Sequence, residues 1–156
     1  MPAARGDRVR SEGPRVHVKT ARPWRGVRRS TLINAALVTL ARVAPSVRGD
    51  VTVVLTTDRA IRALNRKYRG HDRPTDVLSF DIGQGLDAGD PFGDVVISVE
   101  TARRQAREYD APLQTELVRL LVHGTLHLCG FDHHERREAA KMHGLTRRIV
   151  SKLTAT

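Results

Sequence analysis

The sequence predicts an α+β fold in a single domain: a small, mostly parallel four-stranded sheet packed with about five to six helices. Three observations carry this expectation. A chain of 156 residues with 40% hydrophobic and 28% charged side chains has the size and composition of one globular domain, too short for two and too apolar for wholesale disorder. Its first half alternates strand-like and helix-like patterns in the order β, α, β, α. Its last third, after two further short strands, carries helical patterns only.

Taken in order, Arg15 to Lys19 alternates Val16 and Val18 with polar residues, as a short edge strand does. Trp24 and Gly26 fall in a loop. Ser30 is the expected N-cap of a helix with Leu32, Ile33, Ala36, Leu37, Leu40 and Val43 at helical spacing, ended by Pro45. Gly49 and Asp50 turn into a β-branched strand from Val51 to Leu55, and Asp58 is expected to cap a helix whose core face holds Ile61, Leu64 and Tyr68. Gly70 closes that helix, and Pro74 keeps Arg73 out of the α region ahead of a strand from Val77 to Phe80. The Gly- and Asp-rich stretch from Asp81 to Pro91 lacks the spacing of a calcium loop and reads as a solvated connection to a strand at Val95 to Val99. Helices follow at Thr101 to Tyr109, Leu113 to Leu128 and Glu135 to about Leu153, the last two separated by Gly130.

The charge is lopsided. The chain carries 27 Lys and Arg against 17 Asp and Glu, a net of +10. Residues 1–30 hold +7 of it, from nine basic residues against Asp7 and Glu12. Met1 to Pro14, with two prolines, two glycines and nothing to bury, is expected to be a disordered basic tail, with the folded domain spanning residues 15–156. Such an excess suits a polyanionic partner, nucleic acid before membrane, although a solvated tail has the same composition. No stretch approaches the roughly 20 apolar residues of a bilayer span. Cys129, the single cysteine, has no internal disulfide partner, which points to a reducing, cytoplasmic setting.

Leu121 to Glu135, LVHGTLHLCGFDHHE, is the most informative segment. His123 and His127 are four apart, so on a helix they share a face with about 5 to 6 Å between their β-carbons. Gly130 permits the turn that would bring His133 back toward them. Three neutral imidazoles leaving one position open is the donor set of a catalytic zinc site, one ion per chain, although nickel, iron or copper also suit imidazole. His134 follows His133 directly and should point elsewhere, and His143 lies off this spacing. Cys129 reads as a small hydrophobe at the helix end. Asp132 either orients a ligand histidine or caps the next helix.

The spacing matches the H-E-x-x-H-x-x-G-x-x-H pattern of metzincin proteases except that Gly124 stands at the glutamate. Peptide hydrolysis at zinc needs that carboxylate as proton shuttle, whereas phosphodiester hydrolysis asks less of it.

At this point HGTLHLCGFDH resembles the H-G-x-L-H-L-x-G-[YF]-D-H signature of the YbeY family of metal-dependent endoribonucleases. Tyr68 to Phe80, YRGHDRPTDVLSF, is similar to the family's second signature and Gly93 to Ser98, GDVVIS, to its third. The likeness covers roughly Arg15 to Val150, with Cys129 where leucine is common. It implies a zinc-dependent endoribonuclease domain cleaving single-stranded RNA in 16S rRNA 3′-end maturation and ribosome quality control. Expected partners are the rRNA precursor on the small ribosomal subunit and ribosome-associated proteins, with no membrane. Carried over residue by residue, the resemblance implies His123, His127 and His133 as zinc ligands and Arg69 as the catalytic arginine. Two rival readings remain: a non-catalytic, zinc-stabilised ribosome assembly factor, and a metzincin-like zinc hydrolase. A guanidinium at Arg69 suits two-point phosphate contact. With 4% aromatic residues, little base-stacking surface is available, so weak sequence preference is expected.

Overall fold

The computed structural model describes residues 13–132 and 134–154. The expected tail at residues 1–14 therefore lies almost wholly outside the described residues, and so does His133. Four strands and five helices follow one another as β1 (Val16–Thr20), α1 (Arg29–Val43), β2 (Asp50–Thr56), α2 (Asp58–Arg69), β3 (Val77–Asp81), β4 (Pro91–Ser98), α3 (Val99–Glu108), α4 (Leu113–Leu128) and α5 (Arg136–Thr154). The α+β class and the mostly parallel four-stranded sheet stand as expected. The strand order is β1-β2-β4-β3. β1 pairs parallel with β2 and β2 parallel with β4, while β3 runs antiparallel to β4 at the far edge. Among the described residues no helix is long and apolar enough to cross a membrane.

The two faces of the sheet are covered unequally. Val51, Val53, Leu55, Val95 and Ile97 join Leu32, Leu117, Leu121, Leu126, Met142 and Ile149 in the main core, against α1, α4 and α5. Alternation along the strands turns Val54, Leu78, Phe80 and Val96 to the other face, where Ile61 and Leu64 of α2 cover them. α4 is the central element, packed against α1, α3, α5, β3 and β4.

Several boundaries differ from the sequence expectation, each for a tertiary reason. α1 begins at Arg29 rather than after Ser30, and its N-cap Arg28 makes no side-chain capping bond. Instead the Arg28 N–H donates to Gln114 Oε1 of α4 at 2.7 Å. Thr57, not Asp58, caps α2, its Oγ1 accepting from the Ala60 N–H. Asp58 is thereby released to accept from Ser98 Oγ at 2.6 Å and from Thr101 Oγ1, and it pairs with Arg104. Ser98 caps α3, which starts at Val99 instead of Thr101.

β4 starts four residues before Val95, at a proline and a glycine that a propensity reading assigns to a loop. Pro91 is tolerated as the first strand residue. Gly93 is required because a β-carbon there would lie 2.9 Å from Leu128 Cδ1 and 3.0 Å from the Phe80 carbonyl. Tyr68 is the clearest miss: it is 53% exposed rather than in the core, lying edge-on to Phe80 with ring centroids 5.2 Å apart.

Candidate active site

α4 spans the expected Leu113–Leu128, and its apolar residues, including Leu117, Leu120, Leu121, Leu126 and Leu128, are buried. The two histidines on the same helix, His123 and His127, are only half-buried. Their rings meet edge to face, centroids 4.8 Å apart at 80°. The helix ends at Cys129, and Gly130, at φ 91°, takes the left-handed conformation that reverses the chain. Burial pushes the Cys129 thiol up to about 11. It stays protonated at neutral pH and behaves as the expected helix-end hydrophobe.

The histidines open into a cleft of about 730 Å³ whose other walls include Arg69, Asp76, Ser79, Asp81 and Asp132. Arg69 is the last residue of α2. Its side chain is tethered, Nη2 donating to the Ser79 carbonyl at 2.8 Å, with the guanidinium carbon 5.4 Å from the Phe80 ring centre. Ser79 in turn donates through Oγ to the Gly124 carbonyl at 2.8 Å. One residue of β3 thus links the arginine to the histidine helix. Sequence reasoning missed Ser79, which lies inside the second motif but announces itself by no spacing. It also missed Asp76, whose Oδ1 accepts from the Val77 N–H at 2.7 Å and whose Oδ2 accepts from Gln105 Nε2 at 3.3 Å, anchoring the cleft wall.

Gly124 is explained by the same packing. A β-carbon there would sit 2.6 Å from Val95 Cγ1 and 3.1 Å from both Ser79 Oγ and Val77 Cγ2. α4 approaches the sheet too closely at this point for the glutamate a metzincin protease needs.

His134 lines the cleft but its side chain is 84% exposed, with Nε2 3.4 Å from Asp132 Oδ2. His143, on α5, stands 6.3 Å from the His123 ring at a tilt of 31°. Among the described residues no three His, Cys, Asp or Glu side chains are placed to hold a metal ion. The structure therefore brings together two of the three expected ligands, with Arg69 on the facing wall. The third, His133, lies outside the described residues. Two adjacent imidazoles on one helix, open to a cleft on one side and backed by buried leucines, are two of the three protein donors that a catalytic zinc site takes.

A family model described as Endoribonuclease YbeY matches residues 24–154. The chain belongs to the YbeY endoribonuclease family. The match starts after β1, later than the resemblance in the motifs suggests, and runs through the end of α5. It places the chain among endoribonucleases, hydrolases whose substrate is RNA. The chain is similar to the Endoribonuclease YbeY of Heliobacterium modesticaldum, 46% identical over 112 residues, which cover 65% of this chain and 68% of that protein. It is similar also to that of Myxococcus xanthus, 47% identical over 104 residues and 65% of this chain, where the match spans only 35% of the relative. Among solved structures, the solution structure of TM1509 from Thermotoga maritima has a TM-score of 0.58 at 27% identity, covering 88% of both chains.

Proposed function

We propose that the chain is a zinc-dependent, single-strand-specific endoribonuclease acting in 16S rRNA 3′-end maturation and ribosome quality control, with one Zn2+ held by His123, His127 and His133. The observation that carries this reading is the cleft in which His123 and His127 face a tethered Arg69. The chemistry such an ion supplies is Lewis acidity, which polarises a phosphoryl oxygen and makes water acidic enough to attack near neutral pH.

The chain's own residues do the rest. Arg69 spends one of its five N–H donors on the Ser79 carbonyl. That bond fixes the guanidinium plane while the remaining donors can hold phosphate oxygens and offset the negative charge that builds there. Ser79, bonded to both Arg69 and Gly124, keeps the arginine in register with α4. The buried leucines behind the histidines hold the imidazoles in place without competing donors. The peptidase reading is disfavoured by the steric exclusion of a carboxylate at Gly124. A metal-stabilised assembly factor remains the rival.

Incubating the zinc-loaded chain with fluorescent single-stranded RNA, duplex RNA and casein tests the proposal. Cleavage of single-stranded RNA alone, abolished by chelator, is expected. An intact RNA with zinc bound favours the assembly factor, and cut casein favours the peptidase. Zinc content checks the ligands: His133→Ala should empty the site as His123→Ala does, whereas His134→Ala should leave about one ion per chain. A full site in His133→Ala and an empty one in His134→Ala would reverse the assignment.

A further inference from the structure

Two further hollows are linked to the cleft that holds His123 through shared lining residues. His123 also lines a cavity of about 560 Å³ beside Arg119, His143 and Arg147. Arg147 and Ser151 line both that cavity and a groove of about 700 Å³ whose remaining walls are Arg42, Gly144, Arg148 and Lys152. This groove runs between the carboxyl end of α1 and the outer face of α5. Four of its six lining residues are cationic and none is acidic.

The cations lining the groove are gathered in one place and differ from those already engaged in ion pairs elsewhere. Arg119, nearer the histidines, is already paired with the buried Glu116 through both Nε and Nη2. Arg62 is paired with Asp72 and Arg104 with Asp58. Arg42, Arg147, Arg148 and Lys152 are exposed, and among the described residues none has an ion-pair partner. Arg148 and Lys152 are four apart on α5, a spacing at which like charges repel. Gly144 leaves the floor open, since a β-carbon there would meet nothing closer than Arg148 Nη1 at 3.5 Å. Such a groove is complementary to a flexible polyanion. Lys152 lies nine residues beyond His143, about 13 Å of helix, so it addresses a part of the ligand well away from the histidines.

We propose that the α1–α5 groove holds the phosphate backbone of single-stranded RNA several nucleotides from the bond cut in the His123 cleft. The direction of the strand rests on the function proposed above; occupancy of the groove by RNA does not, and the test separates the two. Binding of a fluorescein-labelled 20-nucleotide oligouridylate is measured across a salt series in EDTA, so that no outcome depends on cleavage. In the full chain, the triple variant Arg42→Gln, Arg148→Gln, Lys152→Gln should keep the wild-type melting temperature, because all three side chains are exposed. Its affinity at 100 mM salt should fall at least 10-fold. The slope of log affinity against log salt should flatten by about 2, since each phosphate contact on a single strand contributes about 0.7. A control variant, Arg25→Gln, Arg59→Gln, Arg107→Gln, removes the same charge from other exposed positions and should shift the slope far less.

Equal losses in the two variants would overturn the proposal in favour of diffuse attraction by net charge. Unchanged RNA affinity in the groove variant would also overturn it. If the groove variant instead lost affinity only for polyglutamate, the groove would be assigned to an acidic protein.

Discussion

α4 and α2 supply the two halves of the candidate site, yet different forces hold them against the sheet. α4 buries ten of its sixteen residues and is fixed by apolar packing on several neighbours. α2 buries only Ile61 and Asn65 of its twelve and is fixed at its ends by polar tethers. At the amino end Asp58 engages Ser98, Thr101 and Arg104. Toward the carboxyl end Asn65 Nδ2 donates to the Arg73 carbonyl at 2.9 Å and Arg69 to Ser79. The difference teaches that the pair of histidines should be as rigid as the core itself, while the arginine rests on a few replaceable hydrogen bonds. Metal binding and phosphate positioning should therefore be separable by mutation.

The largest effect should come from breaking the α4 side. Leu121 is fully buried, and Leu121→Ala should cost about 2–5 kcal/mol, lowering the melting temperature of the whole domain and the zinc content with it. Loss confined to α2 by hydrogen exchange would show that α4 is not the organising element. Gly124→Ala should cost about 1–3 kcal/mol through overpacking. It should also weaken zinc binding, because α4 must move away from Val95 and carry both histidines along. Unchanged stability and zinc affinity would mean the helix has room to spare.

The α2 side should yield less. Burial raises the Asp58 carboxyl, but hydrogen bonds from Ser98, Thr101 and Arg104, with the charge of Arg104, outweigh it and hold Asp58 below the usual carboxylate range. A carboxyl depressed on folding adds stability above its unfolded value near 4, and that stability is lost as pH falls through its lower folded value. Asp58→Ala should therefore cost about 1–3 kcal/mol at neutral pH, with the gap to wild type closing below about pH 4. A gap that does not change with pH would point to lost packing instead. Zinc content should be unaffected.

What the sequence disclosed follows the same division. α4 is legible to the residue because its apolar run, its histidine spacing and the terminating glycine all act locally. The sheet and its helices are legible from periodicity for the same reason. The polar tethers are not: Asp58 has the composition of an N-cap, and only the approach of Ser98 and Arg104, about forty residues away, gives it another role. Tyr68 occupies a helical apolar position, but the second core under α2 is a cluster of three buried residues, Ile61, Leu78 and Val96, with Tyr68 left at its rim. Ser79 became visible as the link between Arg69 and Gly124 only once β3 lay beside α4.

Arg69→Ala should have the smallest effect on stability, under about 0.5 kcal/mol, because the side chain is exposed and loses one hydrogen bond. It should have the largest effect on chemistry. The most direct test measures the single-stranded RNA cleavage rate and the zinc content of Arg69→Ala in the same preparation. Full zinc, a wild-type melting temperature and a rate reduced by about 10² to 10³ are predicted, with Arg69→Lys restoring only part of the rate because it lacks the planar fork. A wild-type rate with zinc in place, or loss of zinc on removing Arg69, would contradict the division of labour between the two helices.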